Sequence, residues 1–256
     1  MKVGILAGGL GTRLAEETEV RPKPMVEIGN MPILWHIMMQ YHSFGHNEFA
    51  IALGYKGEFI KRWFNDFSAL SGSMSLHVPT GGIKRHASTA PPWSVDLVET
   101  GLNTQTGGRI KRLIEWMGQG PFMFTYGDGV ANVNLNELIA FHKSHGKLAT
   151  MTAVRPPARY GHIEFEGDRI VQFNERPQTA EGWINGGFYV LSHEVADYIG
   201  GDEVAFEVGP LGRLAAEGQL MAYRHDSFWQ CMDTLREKYI LQKIWDSGNA
   251  PWKTWE

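Results

Sequence analysis

The sequence predicts an α/β fold: a Rossmann-like, mostly parallel central sheet flanked by helices, with an inserted irregular arm and a C-terminal helix. Three observations carry this. A short apolar run, Lys2 to Ala7, enters a loop holding Gly8, Gly9 and Gly11. A helical apolar pattern follows (Ile33, Leu34, Ile37, Met38, Tyr41, Phe44), opened by Pro32 and closed by Gly45. A second buried run, Asn47 to Leu53, leads into another helix over 57–67. Strand, glycine loop, helix, strand, helix is the order that builds a parallel sheet with helices on both faces.

From about Ser68 to Gly108 the pattern dissolves into Gly, Ser, Thr and Pro, with short strands near Met74–Val78 and Ser94–Val98. A stretch of that length inside one domain reads as an active-site loop, an insertion or an interface arm. Order returns with a helix over 109–117, a strand over 121–126, a helix over 134–145 and a strand over 148–154. Segments 162–166 and 169–174 flank Gly167-Asp168 and read as a hairpin. A strand over 184–190, helices near 193–199 and 206–217, and a strand over 220–224 follow. The last helix spans about 234–247, before an aromatic tail ending in Trp252 and Trp255. With no repeat and no linker, the expectation is a single domain over 1–256, with an insertion at about 68–108 and a C-terminal helical segment at about 229–256.

Composition narrows the function. The chain is 43% hydrophobic and 20% charged, which excludes a disordered or fibrous protein. Nine Trp, eight Tyr and thirteen Phe supply a core without disulfides. A formal charge of −4 offers no basic face for nucleic acid. Cys231 is the single cysteine, so neither an internal disulfide nor a Cys-rich zinc site forms, which fits a reducing compartment. No apolar run approaches the ~18 residues of a membrane span. The apolar start breaks at Gly8 and Gly9 with no cleavage site after it. The expectation is a cytoplasmic protein that engages neither nucleic acid nor membrane.

Four motifs bear chemistry. Leu6-Ala7-Gly8-Gly9-Leu10-Gly11-Thr12-Arg13 follows the first strand, where glycines let backbone N–H groups approach phosphate and Thr12 and Arg13 add polar groups. Alone it also reads as a tight turn with an exposed arginine; its spacing is neither a P-loop nor a dinucleotide fingerprint. Arg21-Pro22-Lys23-Pro24 frames an ammonium between two prolines. Tyr126-Gly127-Asp128-Gly129 places a carboxylate at the C-terminal end of a strand, the edge where parallel sheets bind ligands, suited to a divalent cation or to a plain turn. Asp233 precedes the last helix and reads either as a ligand or as its N-cap.

Together with Asn174-Glu175-Arg176-Pro177 and the stretch 183–190 (WINGGFYV), these motifs resemble the sugar-1-phosphate nucleotidyltransferases in order and spacing along essentially the whole chain. The resemblance implies a nucleotide-diphospho-sugar transferase type of fold. Segments 100–109, 124–131, 228–238 and 251–256 are most similar to members that transfer a cytidylyl group from CTP to glucose 1-phosphate, for dideoxysugars of surface polysaccharide. Such a reaction needs no general base for the acceptor dianion; it needs cations and positioning. The resemblance implies that loop 6–13 wraps the triphosphate with Arg13 on the departing phosphates. Lys23 is implied at the α-phosphate, and Asp128 and Asp233 as ligands of Mg²⁺. Thr104, Gly108 and Arg109 are implied to read the base. Tyr126, Gly161, Glu175, Arg176 and Asn185 are implied to bind the sugar phosphate, although Asn185 alone reads as a strand bulge and Glu175 as a solvated hairpin end. Relatives assemble, which implies a homo-oligomer. The alternatives are a different phosphorylated acceptor or a catalytically silent nucleotide-binding relative; the joint presence of Arg13, Lys23, Asp128 and Asp233 argues against silence.

One residue departs from the family pattern: arginine stands at 176 where lysine is usual. Arginine keeps the charge and grips phosphate bidentately, but is longer and planar. Arg176→Ala should raise KM for the sugar phosphate roughly ten- to a hundredfold and leave KM for CTP unchanged. Arg176→Lys should keep turnover within about an order of magnitude, since only fork geometry is lost. Steady-state kinetics check both; an inactive Arg176→Lys enzyme would make Arg176 a selector of the acceptor and set glucose 1-phosphate aside.

Overall fold

Residues 1–156, 162–166, 169–174 and 182–255 are described by a computed structural model. Among the described residues, seven strands form the central sheet: β1 (Val3–Leu6), β2 (Glu48–Leu53), β3 (Ser94–Glu99), β4 (Phe122–Tyr126), β6 (Ala149–Val154), β7 (Ile184–Leu191) and β8 (Leu220–His225). Two further short strands, β5 (Gly129–Ala131) and β9 (Trp229–Cys231), pair with each other beside it. The sheet order is β8-β6-β7-β4-β1-β2-β3. Pairs β3–β2, β2–β1, β1–β4 and β6–β8 are parallel, while β7 runs antiparallel to both β4 and β6. The mostly parallel sheet predicted from the sequence is therefore present.

The central strands read as unbroken apolar runs because both faces are covered. Side chains alternate between two cores. Val3, Ile5, Phe49, Ile51 and Met123 face one, under helix α1 (Ile33–Ser43). Leu6, Ala50, Ala52, Phe122 and Phe124 face the other, with helix α3 (Thr106–Ile114). Helix α2 (Gly57–Leu70) follows β2, and α4 (Leu135–His145) precedes β6, ending at Gly146 in the left-handed region. β1 has β2 on one side and β4 on the other, so the sheet order reverses there and a crevice opens at the C-terminal ends of β1 and β4. The glycine loop leaves β1 at that point, and Asp128 leaves β4.

Some expected boundaries move. The helix expected at 109–117 begins at Thr106, because the N–H groups of Gln105 and Gly107 are taken by Asp202 and Val204 carbonyls at 2.7 and 2.9 Å. Within 68–108, Met74–His77 and Gly82–Arg85 form an exposed hairpin, but β3 belongs to the central sheet, in register with β2 from Glu48↔Ser94 to Leu53↔Glu99. The segment near 193–199 is a 3₁₀ helix, His193–Tyr198, and that near 206–217 shortens to α5 (Pro210–Ala216). Strands 162–166 and 169–174 pair antiparallel, as expected. Among the described residues, no helix is long and apolar enough to cross a membrane.

The final helix, α6 (Leu235–Asp246), is capped by Thr234, not Asp233. Thr234 Oγ1 accepts from the Glu237 N–H (3.3 Å), and Glu237 Oε2 accepts from the N–H groups of Thr234 (2.9 Å) and Asp233 (2.7 Å). That frees the Asp233 carboxylate. The far end of α6 and the tail are anchored on His36, which is fully buried against Trp245 and Trp252. Its Nε2–H donates to Ile28 O (2.8 Å), and its Nδ1 accepts from Trp252 Nε1–H (3.4 Å).

Burial pushes the His36 pKa down to about 4. The folded protein thus refuses a proton that the unfolded chain takes up near pH 6.5, so this contribution is intact above pH 6.5 and lost as pH falls toward 4. It is worth about 3 kcal/mol. His46 and His142, also pushed down to about 4, add the same sign. Tm of the wild type should therefore drop between pH 7 and pH 4.5, and the drop should be shallower in His36→Gln. Parallel Tm–pH curves for the two proteins would show that His36 does not carry this term.

Candidate active site

The crevice at the switch point holds a cavity of about 570 Å³, lined by loop 6–13, Lys23, Pro24, segment 102–106, Arg109 and segment 126–128. The loop is fixed from beneath. Ala7 N–H donates to Ala52 O (3.0 Å), and Gly8 O accepts from Tyr55 N–H (3.2 Å). At Gly8 a Cβ would lie 2.3 Å from Arg109 Nη1 and 2.9 Å from Gly54 N, so the backbone must be bare there. At Gly9 nothing lies within 4 Å, and its backbone faces open space. Gly11 turns the chain through the left-handed region (φ 65°), and its carbonyl accepts from Thr18 Oγ1 at 3.1 Å. Leu10 and Arg13 stand exposed at the cavity mouth.

Lys23 lies at the centre. Pro22 is extended (φ −67°, ψ 150°), and a 3₁₀ turn, Lys23–Met25, carries the ammonium inward. Lys23 Nζ donates to Asp128 Oδ2 at 2.6 Å and also to Asp233 Oδ1. Burial acts to lower the Lys23 pKa, but the two carboxylates, Asp128 foremost, outweigh it and hold the pKa above its ordinary value. Arg13 Nη1 meets Asp233 Oδ2 at 2.7 Å, so two cations balance two carboxylates. Asp128 and Asp233 meet because β5 and β9 pair with Cys231 opposite Gly129, and because Met232 N–H donates to Asp128 O at 2.8 Å. Gly127 permits the close turn: a Cβ there would sit 2.6 Å from Leu6 O and 3.1 Å from Pro24 Cγ.

The residues expected to read the base divide. Thr104 lines the cavity. Arg109 also borders it, yet its guanidinium is nearly fully buried and spent on protein oxygens: Leu53 O (3.0 Å), Thr100 Oγ1 (2.6 Å) and Leu102 O (3.1 Å). In this arrangement Arg109 shapes loop 100–104 and supports Gly8. Gly108 packs against the chain, where a Cβ would lie 2.7 Å from Asp202 Cα.

Of the residues expected to bind the sugar phosphate, Tyr126 borders, with Asp128, both the main cavity and a smaller one of about 40 Å³ that also touches Asn185. Asn185 Oδ1 accepts from Gly187 N–H (2.9 Å), and the β6–β7 register shifts between Met151 and Ala153, so a bulge does form beside the site. Gly161, Glu175 and Arg176 lie outside the described residues. Sequence reasoning passed over Glu207, whose carboxylate reaches Tyr126 and Thr106. No local motif marks it, because its partners lie 81 and 101 positions away.

The sequence profile of the nucleotidyl transferase family matches residues 2–229. The chain belongs to this family. It is 49% identical over 257 residues to glucose-1-phosphate cytidylyltransferase of Salmonella typhi, and 42% identical over 256 residues to the probable glucose-1-phosphate cytidylyltransferase of Bacillus subtilis, with 100% of each chain covered in both cases. The crystal structure of HddC from Yersinia pseudotuberculosis shares the fold, with a TM-score of 0.71 at 23% identity, over 95% of this chain and 99% of that one.

Nucleotidyl transferases of this family typically use a divalent metal, and the donor set here fits one. Asp128 and Asp233 present oxygens toward one shared cationic point, which Lys23 Nζ marks, and carboxylate oxygens suit a hard dication. A neighbouring cluster, Cys231, Asp233 and Glu237, brings ligand atoms within 4.8 Å of one another. Glu237 is consumed as a helix cap. Burial, with Glu237 and Asp233 nearby, pushes the Cys231 thiol up to about 12, and its soft sulfur is ill matched to a hard dication in any case. Of the two sets, the carboxylate pair suits the ion.

The nucleotidyl transferase loop carries its own test. Gly8→Ala should cost about 1–3 kcal/mol by overpacking against Arg109 and Gly54, and should lower Tm. Gly9→Ala, which meets open space, should leave Tm unchanged. Thermal unfolding of the two variants checks this; equal Tm values would mean that the loop does not rest on Arg109.

Proposed function

We propose that this chain transfers a cytidylyl group from CTP to α-D-glucose 1-phosphate, releasing pyrophosphate and forming CDP-glucose. The observation that carries the reading is 49% identity over the full length to a glucose-1-phosphate cytidylyltransferase. The meeting of Lys23, Asp128 and Asp233 at the cavity supports an active enzyme over a silent relative. A phosphate oxygen of the sugar phosphate attacks the α-phosphorus of CTP, a new P–O bond forms, and the bond to the β-phosphate oxygen breaks with its electron pair leaving on pyrophosphate. The acceptor is already anionic, so no base is required.

In this reading the backbone at Gly8–Gly11 cradles the triphosphate, and exposed Arg13 neutralises the departing phosphates. Lys23 counters charge at the α-phosphate, with its course set by the flanking prolines. Asp128 and Asp233 would hold Mg²⁺, which polarises the α-phosphoryl group when bound. Thr104 contacts the base within a loop held by Gly108 and Arg109. Tyr126 and Asn185 border the acceptor subsite, and the family resemblance assigns sugar-phosphate binding to Gly161, Glu175 and Arg176, which lie outside the described residues. We place the enzyme in the cytoplasm, the compartment that holds CTP, as a single domain acting in a homo-oligomer. The exposed hairpin bearing Leu76 and Ile83 is the candidate contact between copies.

The test is pyrophosphate release from several nucleoside triphosphates against several sugar 1-phosphates. CTP with glucose 1-phosphate should be best, and CTP should beat UTP because a site of fixed hydrogen-bond polarity leaves groups unpaired against the wrong base, at roughly 1–3 kcal/mol each. Chelation of divalent ions should stop the reaction, and Asp128→Asn and Asp233→Asn should each cut turnover ~10³-fold with the fold retained. Equal efficiency with CTP and UTP would sink the cytidylyl reading; near-normal turnover in either Asn variant would remove that residue from the metal site.

A further inference from the structure

Helix α3 starts without a side-chain cap of its own. The N–H groups at its start are normally orphaned, and here a separate loop answers them. Asp202 O accepts from Gln105 N–H, Val204 O accepts from Gly107 N–H, and Thr106 Oγ1 accepts from Phe206 N–H at 2.9 Å. That loop ends in Glu207. One carboxylate oxygen of Glu207 accepts from Thr106 Oγ1–H at 2.6 Å, and the other accepts from the Tyr126 phenol. Thr106 and Tyr126 stand on different elements, and both line the main cavity. Thr106 opens the helix that follows segment 102–106; Tyr126 ends β4 and also borders the smaller cavity beside Asn185. One carboxylate therefore spans the two walls of the site.

We infer that Glu207 is a positioning residue that locks the nucleobase wall to the acceptor wall through Thr106 and Tyr126. The inference rests on the cytidylyl-transfer reading for the names of the two walls. A carboxylate accepting two hydroxyl protons forms charge-assisted bonds, about twice as strong as neutral ones. It also fixes which way each hydroxyl points: both protons are committed to Glu207, so each oxygen offers only lone pairs to anything on its other side. A hydroxyl of fixed polarity is what a site needs to tell an amino group from a carbonyl at the same place on a base.

The experiment compares kcat/KM for CTP and UTP, and KM for the acceptor, in wild type, Glu207→Ala and Glu207→Gln, with Tm as a control. Glu207→Ala should erode the CTP-over-UTP preference about tenfold and raise the acceptor KM severalfold. Glu207→Gln keeps the size but offers one acceptor oxygen and one NH₂ donor, so one of the two hydroxyls must reverse its polarity; Tm should hold near wild type while either the CTP-over-UTP preference or the acceptor KM still shifts severalfold. A merely structural role would lower both nucleotides together and leave the ratio fixed, and that outcome would overturn the inference. Should Glu207→Ala fail to fold, Thr106→Val must lower the preference and Tyr126→Phe must raise the acceptor KM; if neither moves, the inference falls. Wild-type preference for another nucleotide would sink the cytidylyl reading alone, and Glu207→Ala would then be judged by the loss of that preference.

Discussion

The ion pair between Lys23 and the carboxylates of Asp128 and Asp233 organises this molecule's working end, and most of the surrounding structure exists to make it possible. Each member comes from a different place: a proline-framed turn, the end of β4, and the approach to α6. Two carboxylates brought this close repel unless a cation lies between them, and Lys23 supplies that charge. The short β5–β9 ladder sets the separation of the two aspartates, and the Thr234–Glu237 capping box relieves Asp233 of helix-end duty. Half-buried, and neutral as a set once Arg13 joins Asp233, the group is costly to dismantle one charge at a time.

Around that centre the chain uses close approach in place of extra side chains. Gly8 rests on a buried guanidinium, and Gly127 rests on Leu6 and Pro24. Arg109 shows the consequence. Its planar fork reaches Leu53 O, Thr100 Oγ1 and Leu102 O at once, which a lysine could not match, and so it holds the floor of the cavity in shape. Burial costs it some of its charge stabilisation, and the hydrogen bonds offset that.

Much of this was legible along the chain. The apolar runs of β1, β2 and β4, the glycine loop, the Pro22-Lys23-Pro24 frame and the carboxylate after β4 are local patterns, because backbone geometry and burial dictate residue type within a few positions. The sequence is a weaker guide where a partner lies far away. Its helical pattern starts α3 at 109, three residues beyond Thr106, because the first N–H groups are satisfied by Asp202 and Val204, about a hundred positions downstream in sequence and invisible to any helix-start signal. Asp233 admits an N-cap reading for the same reason: a carboxylate before a helix looks alike whether it caps or pairs with distant cations, and only the reach of Thr234 to Glu237 separates the two cases. Glu207 sits in a loop with no motif, and its importance is set by Tyr126 and Thr106.

The sequence by itself determined the sheet-and-helix grammar, the glycine-rich loop after β1 and the inventory of charges suited to moving a nucleotidyl group between anions. It did so because periodicity, glycine and proline act through the covalent chain. Only the tertiary structure decided which charges meet. Loop closure over 105 positions between Asp128 and Asp233 has no local signature, and it is met by strand pairing and core burial elsewhere, so the partners of Lys23, the burial of Arg109 and the span of Glu207 emerge only when the sheet is assembled.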